Sequence, residues 1–221
     1  MRLAVVFTKE DPVRFVSHLD VQRLFQRAFR RAKLPLAYSQ GFNPHPLVSF
    51  ATALSVGMTS RGEYLDVMLT EPMTPDAFRS AVESVLPDGV RIAEVFDLGE
   101  SRKSLTSAMR SADYFAEVAF PGPADADGIK QAIADLLASE IVVMKKTKGG
   151  IKPVDIRPMV ISMELVKTEG NTAFFSMTGK LTAEGGLNPE TLLGELYEKL
   201  GTSGAARIER VRIELDREAL K

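Results

Sequence analysis

The segment RFVSHLDVQRLFQRAFRRAKLPLAYSQGFNPHP, residues 14–46, predicts a capped helix followed by a loop rich in proline and glycine. Ser17 is placed to cap the helix, and Asp20 stands three positions later, which is the spacing of a capping box. Apolar residues then recur at helical spacing and form one face. They are Val21, Leu24, Phe25, Ala28, Phe29 and Ala32. We expect the rest of the chain to serve as a scaffold for this segment.

Basic residues occupy the opposite face of the same helix, given a rotation of about 100° per residue. No acidic residue follows Asp20 before Lys33, so the helix lacks i,i+4 pairs of opposite charge and repels itself modestly. This repulsion between the basic residues favours an anionic partner that would relieve it. The alternative is an ordinary helix face exposed to solvent, since arginine is a good helix former. The predicted phosphate-binding residues of this region are Arg14, Arg23, Arg27, Arg30, Arg31 and Lys33.

The loop YSQGFNPHP, residues 38–46, carries side chains suited to recognising a base or another ring. Its prolines restrict Asn43 and His45 to extended conformations with little freedom. Aromatic rings stack on bases, and side-chain amides bond to base edges. The predicted recognition residues are Tyr38, Ser39, Gln40, Phe42, Asn43 and His45. A rigid structural loop is the alternative.

The order of predicted elements places the chain in the α+β class, with two ferredoxin-like βαββαβ units in tandem. We expect residues 1–99 to form the first unit, residues 100–112 a linker helix, and residues 113–221 the second unit. Each unit is expected to have an antiparallel sheet with helices on one face. The halves show no obvious sequence identity, so the duplication rests on element order alone.

Alternation of apolar and polar residues defines the strands of the first unit. They are expected over residues 3–8, 47–53, 63–69 and 90–98, with Leu65, Val67 and Leu69 on the core face of the third. Tyr64, Asp66 and Met68 share its other face, and Gly57, Ser60 and Gly62 mark a preceding turn. Thr74 and Pro75 open a second helix.

The second unit is expected to contain helices opened by Asp125 or Asp127 and by Asn188 and Pro189. It also carries an insertion, KKTKGGIKPVDIRP, at residues 145–158. Lysines beside a glycine pair fit a hairpin or loop that contacts phosphates without reading sequence. A solvated loop that protects a strand edge is the alternative. The basic residues of the insertion are Lys145, Lys146, Lys148, Lys152 and Arg157.

Composition excludes several kinds of chemistry. The 221 residues are 45% hydrophobic and 26% charged, with a net charge of -1, so nucleic-acid binding must rest on local asymmetry. The chain has no cysteine, hence no disulfide, thiolate metal site or iron–sulfur cluster of its own. No stretch has the length of a signal peptide or membrane span, so we expect a cytoplasmic protein without membrane contact and without a cofactor.

Three strings of residues resemble the radical-SAM-linked family of uncharacterised bacterial proteins. They are RFVSHLD, FQRAFRRAKLPLAYSQGFNPHPLVSFA and GEYLDVML, and VDIRP at residues 154–158 continues the resemblance. The resemblance implies association with a radical SAM enzyme of the cobalamin-binding type, many relatives of which modify RNA. The family supplies no catalytic residues, and this chain resembles its stand-alone form because it lacks the CxxxCxxC motif.

Together these observations predict a non-catalytic module that binds RNA or presents it to a radical SAM enzyme. One alternative is a metal-independent endoribonuclease or phosphodiesterase that uses His18 and His45 as general base and acid. Another is a protein-interaction adaptor with no RNA contact. Two histidines in 221 residues are sparse for catalysis, so we expect no catalytic activity.

Overall fold

The computed structural model describes residues 1–99, 101, 103–147 and 150–220, which form two compact units. Unit 1 comprises Met1–Arg110 together with the residues from Arg210 onward, and unit 2 comprises Ser111–Glu209. The division differs from the predicted one at the C-terminus, because the end of the last strand belongs to unit 1 instead of unit 2.

Unit 1 is built from strands and helices in the order β-α-β-β-α-β-α. Its elements are β1 (Arg2–Lys9), α1 (His18–Arg31), β2 (Val48–Phe50), β3 (Thr59–Met68), α2 (Pro75–Glu83), β4 (Ile92–Asp97) and α3 (Leu105–Ala108). Strand β1 pairs antiparallel with β3 on one side and with β4 on the other, and β2 pairs with β3. Three-residue 3-10 helices cover Asp11–Val13 and Glu218–Leu220.

Helix α1 begins and packs as predicted. The backbone N–H of Asp20 donates to the Ser17 side chain at 3.3 Å, and the Ser17 hydroxyl donates to the Asp20 carboxylate at 2.7 Å. The helix ends at Arg31, and Lys33 follows in the left-handed region at φ 53°. The apolar face lies in the core of unit 1. Its fully buried residues are Val21, Phe25, Ala28 and Phe29.

Strand β3 confirms one predicted face and corrects the other. Leu65, Val67 and Leu69 are at most 2% exposed, as expected of a core face. Asp66, predicted on the half-exposed face, is only 8% exposed because the Arg2 guanidinium covers it at 2.8 Å. Ser60 lies inside the strand, where it pairs with Lys9, so the predicted turn at this position is wrong. Backbone pairing with β1 extends β3 to residues before Glu63, where apolar and polar side chains no longer alternate.

Unit 2 contains the remaining elements. They are β5 (Met109–Ala119), α4 (Ala126–Leu137), β6 (Val142–Thr147), β7 (Gly150–Asp155), β8 (Val160–Glu169), β9 (Thr172–Thr182), β10 (Gly185–Gly186), α5 (Pro189–Leu200) and β11 (Ala205–Leu215), with a 3-10 helix at Arg157–Met159. The first residues of β5 and the last of β11 count with unit 1. Strand β9 pairs antiparallel with both β5 and β8, while β6 and β7 form a separate hairpin.

The caps of unit 2 are those that the sequence predicts. Asp125 caps α4 and Asn188 caps α5, which ends at Gly201 in the left-handed conformation. The predicted linker helix is shorter than expected. Among the described residues of 100–112 only Leu105–Ala108 is helical, because the chain enters strand β5 at Met109.

The observed fold is mixed α+β, with helices and mostly antiparallel strands. The finer assignment to two tandem ferredoxin-like units stays a prediction. Among the described residues, no helix has the length and hydropathy needed to cross a membrane.

Candidate nucleic-acid interface

The polar face of α1 carries a cluster of exposed cations. Arg27, Arg30 and Arg31 are exposed, and within the described part of the chain they form no ion pair. Arg23 differs, because its guanidinium lies 2.9 Å from Asp20. We call Arg27, Arg30 and Arg31 the arginine face. Repulsion at i,i+3 and i,i+4 spacing opposes this arrangement, and an anionic partner would relieve it.

The two basic residues at the ends of the segment differ from the arginine face. Arg14 is half-buried: its guanidinium lies 4.7 Å from the centre of the Phe15 ring and 3.8 Å from the Asp11 carboxylate. Lys33 is exposed just beyond the helix end. Arg14 is therefore partly neutralised inside unit 1, whereas Lys33 extends the positive charge of the arginine face.

The loop 38–46 is closed at its base and exposed at its tip. Tyr38 and Pro46 form a β-bridge, and the Ser39 N–H donates to the His45 carbonyl at 2.9 Å. The Ser39 hydroxyl accepts from the His45 N–H at 3.1 Å and lies 2.9 Å from His45 Nδ1. These contacts engage Ser39 and His45 in bracing the loop.

The side chains left for recognition point away from the core of unit 1. Phe42 is fully exposed, Tyr38 is 42% exposed, and Gln40 and Asn43 are exposed as well. Gly41 has a φ of 128°, a conformation that favours glycine and turns the chain just before Phe42. A phenyl ring displayed in water costs hydration free energy, which stacking on another ring would recover.

The predicted insertion in unit 2, residues 145–158, overlaps the β6–β7 hairpin, whose first strand begins at Val142. Lys145 and Lys152 stand directly opposite each other, and Lys146 pairs with Ile151. All three lysines are exposed, and facing like charges destabilise a strand pair. Lys148 lies outside the described residues. The hairpin therefore concentrates positive charge in unit 2.

Arg157 has a structural role that competes with its predicted phosphate contact. Its Nε donates to the Leu137 carbonyl at 2.6 Å, and one terminal nitrogen donates to the Val160 carbonyl at 3.0 Å. The guanidinium thus satisfies a carbonyl at the end of α4, a position where cations are favourable. These two hydrogen bonds occupy the Arg157 guanidinium within unit 2.

Sequence reasoning missed a buried charged cluster in unit 1. Glu63 and Arg210 are 4% and 5% exposed, and one Arg210 terminal nitrogen donates to both Glu63 oxygens, at 3.0 and 2.9 Å. Lys9 is 3% exposed and donates to the carbonyls of Arg14 and Met58 at 2.7 and 3.3 Å. Burial lowers the Lys9 pKa, which Glu63 partly restores. The sequence did carry a signal for the burial of Glu63. This residue lies two positions before Leu65 and four before Val67, so in a strand it shares their core-facing side.

His18 lies beside Lys9 and Glu63 of the buried charged cluster, whereas His45 contacts Ser39 in the loop 38–46. The His18 ring packs edge-on to Phe50 at 5.5 Å, and its Nε2 lies 3.0 Å from Gln22 Nε2. His18, Lys9 and Glu63 line a cavity of about 20 Å³, enough for about one water molecule. No contact joins the two imidazoles in the described chain, so nothing in this geometry favours the acid–base pair of a nuclease.

The pKa of His18 predicts a pH dependence of stability. Burial lowers this pKa below its usual value of 6.5, with an opposing effect of Glu63. As pH falls through 6.5, the unfolded chain therefore takes up the proton first, and the free energy of unfolding decreases until the folded pKa is reached. In His18→Gln the decrease between pH 7.5 and 5.5 should be smaller than in wild type, as measured by urea unfolding. His45→Gln controls for the loss of an imidazole, and an unchanged pH dependence in His18→Gln would contradict the assignment.

Within the described residues, no three His, Cys, Asp or Glu side chains are grouped so that they could hold a metal ion.

The fold is similar to that of chains in solved structures of Cbf5 and H/ACA RNP complexes. The crystal structure of a Cbf5–Nop10–Gar1 complex contains a chain that matches with a TM-score of 0.58 at 12% identity, over 96% of this chain and 48% of that one. An H/ACA RNP bound to a substrate RNA containing 2'-deoxyuridine matches with a TM-score of 0.54 at 13% identity, over 96% and 47%. The chain thus spans about half the length of these neighbours. At such identity the likeness shows the fold alone.

The chain belongs to a family of uncharacterized proteins conserved in bacteria (DUF2344), whose sequence profile matches residues 2–189. No curated protein matches the chain.

Proposed function

We propose that this protein is an RNA-binding module that holds or presents RNA for an enzyme that modifies or processes it. The observation that carries the proposal is the arginine face of α1, three exposed guanidinium groups without an ion pair in the described residues. Guanidinium groups bind phosphates through paired hydrogen bonds and are the preferred cations for nucleic acid. Arg30 and Arg31 also complement the helix C-terminus, but Arg27 lies outside the last turn.

The loop 38–46 supplies the second part of the proposed interface, also within unit 1. Phe42 and Tyr38 are placed to stack on bases, and Gln40 and Asn43 to bond to base edges. Such contacts require unstacked bases, so we propose single-stranded or looped RNA as the partner. The lysines of the β6–β7 hairpin in unit 2, Lys145, Lys146 and Lys152, would add phosphate contacts.

The structural neighbours support RNA as the partner class. One of these structures is an archaeal box H/ACA sRNP Nop10–Cbf5 complex, and another is an H/ACA RNP bound to a substrate RNA. The resemblance of the sequence to the radical-SAM-linked family adds a further proposal, that the module works in the cytoplasm with a cobalamin-binding radical SAM protein. A chain without cysteine would rely on that partner for any iron–sulfur chemistry.

The proposal is tested by crosslinking the tagged protein in its native cells, followed by sequencing of bound RNA and mass spectrometry of bound proteins. We expect a discrete class of RNA that is lost when the arginine face is reversed to glutamate, together with a radical SAM protein. Recovery of a protein partner without RNA would contradict the proposal and favour an adaptor.

Phe42→Ala should weaken RNA binding without destabilising the fold. The ring is fully exposed, so its removal leaves no cavity. Loss of one stacked base costs about 1–3 kcal/mol, so the affinity for a single-stranded oligonucleotide should fall about tenfold. Fluorescence anisotropy measures the affinity. Phe15→Ala removes another exposed ring of unit 1, 71% exposed, and should change affinity far less. Equal effects of the two substitutions would count against the loop.

A further inference from the structure

A groove in unit 1 runs beside the arginine face and has an apolar wall. Residues of α1 form one side and the residues at and after the end of α2 form the other, enclosing about 350 Å³. A buried contact joins the two helices, since the rings of Phe29 and Phe78 meet at 5.7 Å. The lining residues are Leu24, Arg27, Ala28, Arg31, Ser84, Val85, Leu86 and Pro87.

The groove combines two kinds of surface. Arg27 and Arg31 lie one helical turn apart on its α1 side, so both guanidinium groups reach the same stretch of groove. Leu24, Val85 and Leu86 present partly exposed apolar surface between the two elements. In this groove the apolar surface faces solvent, and among the described residues neither cation forms an ion pair.

Arg27 and Arg31 are therefore distinct from Arg30, which does not line the groove. All three are exposed and carry the same charge. Arg27 and Arg31 stand beside the apolar residues of the groove, where a ligand can gain dispersion and hydrophobic contact together with charge-assisted hydrogen bonds.

We propose that this groove binds one nucleotide of single-stranded RNA, with its base and ribose against the apolar wall and its flanking phosphates on Arg27 and Arg31. The inference rests on the proposed function and assigns a subsite within it. The volume lies in the range of small-ligand pockets, and a nucleotide has the required combination of planar ring and anionic ends. Arg30 then contacts phosphate outside the groove, and the loop 38–46 binds other nucleotides of the same strand.

Ser84 offers a test that leaves every arginine in place. It is exposed at the C-cap of α2 with helical φ and ψ of -63° and -15°, so larger side chains fit its backbone. Ser84→Glu places a carboxylate in the groove, where it would pair with the arginines and repel phosphate. Ser84→Gln has nearly the same shape without the charge, so it controls for bulk and for loss of the hydroxyl's bond to the Ala81 carbonyl.

The probe is a fluorescein-labelled oligouridine of about 12 nucleotides, within the site sizes of single-strand binders. We expect Ser84→Glu to bind it at least about tenfold more weakly than Ser84→Gln, with thermal unfolding showing that both variants are folded. If the two variants bind equally while reversal of the arginine face abolishes binding, the groove inference is wrong and the proposed function stands. If the wild-type protein does not bind the probe, both the groove inference and the proposed function are wrong. If polyglutamate of equal charge displaces the probe as well as unlabelled oligouridine does, the groove takes an acidic peptide and the inference is overturned.

Discussion

Replacement of Arg27, Arg30 and Arg31 together by glutamate is expected to lower RNA affinity by at least about 100-fold. Each arginine loses a charge-assisted contact worth about 1.5–3 kcal/mol, and each glutamate adds repulsion. The dependence on salt should change as well. Three fewer phosphate contacts reduce the slope of log K against log salt by about 2 for single-stranded RNA. Anisotropy titrations at several salt concentrations measure both quantities.

A control with the same change in net charge separates local contact from the overall field. Lys130, Lys180 and Lys199 are exposed in unit 2, and their joint replacement by glutamate removes the same total charge. This control should retain most of the affinity. Glutamate near the end of α1 also opposes the helix dipole, so the glutamine triple variant keeps the helix and tests the loss of charge alone. Unchanged affinity in both arginine variants would reject the arginine face as the RNA-binding surface.

Removal of one member of the Glu63–Arg210 pair is expected to destabilise unit 1 by about 3–5 kcal/mol. Both side chains are at most 5% exposed, so Glu63→Gln removes the carboxylate charge that the buried Arg210 guanidinium contacts, and Arg210→Met removes the guanidinium that contacts the buried Glu63 carboxylate. The loss of stability should be larger in Arg210→Met than in Glu63→Gln, because Arg210 also donates to the Ala53 carbonyl at 3.3 Å. Urea unfolding measures the loss.

The double variant Glu63→Leu with Arg210→Met tests the physical reason. It removes both members of the pair, but the buried Lys9 ammonium also loses the attraction of Glu63, so the double variant should recover part of the stability lost in either single variant. Glu94→Gln provides a matched control, since Glu94 and Arg217 form an ion pair at 2.6 Å whose side chains are 45% and 50% exposed. An exposed pair of this kind contributes less than about 1 kcal/mol. A loss in Glu63→Gln no larger than in Glu94→Gln would show that the buried pair is effectively solvated.

The candidate site was predictable where it depends on one continuous segment. Periodicity alone separates the buried face of α1 from the arginine face, and the capping residues place its first turn. Proline and glycine likewise mark the exposed loop 38–46. A rigid structural loop is the alternative that the sequence also allows, but the pairing of Ser39 with His45 inside it was not predictable, because that pairing depends on the β-bridge between Tyr38 and Pro46.

Arg157 shows the limit of reading charge from sequence. It follows a segment with four lysines at residues 145–152, and this composition alone predicts a phosphate contact. In the folded chain its guanidinium donates to the Leu137 carbonyl, 20 residues away. A basic side chain bonds to whichever acceptors the packing places beside it, and a run of lysines carries no information about those acceptors.

The sequence by itself determined the mixed α+β class, helix α1 with its two faces, the caps of the helices and the loop with Phe42 at its tip. These features depend on interactions between residues a few positions apart, whose geometry the backbone dictates. Tertiary structure alone decided that the chain from Arg210 onward belongs to unit 1, that Glu63 meets a guanidinium 147 residues away, and that α1 and the end of α2 enclose a groove. The reason is physical: a buried charge requires a partner, but which partner reaches it depends on how distant segments pack.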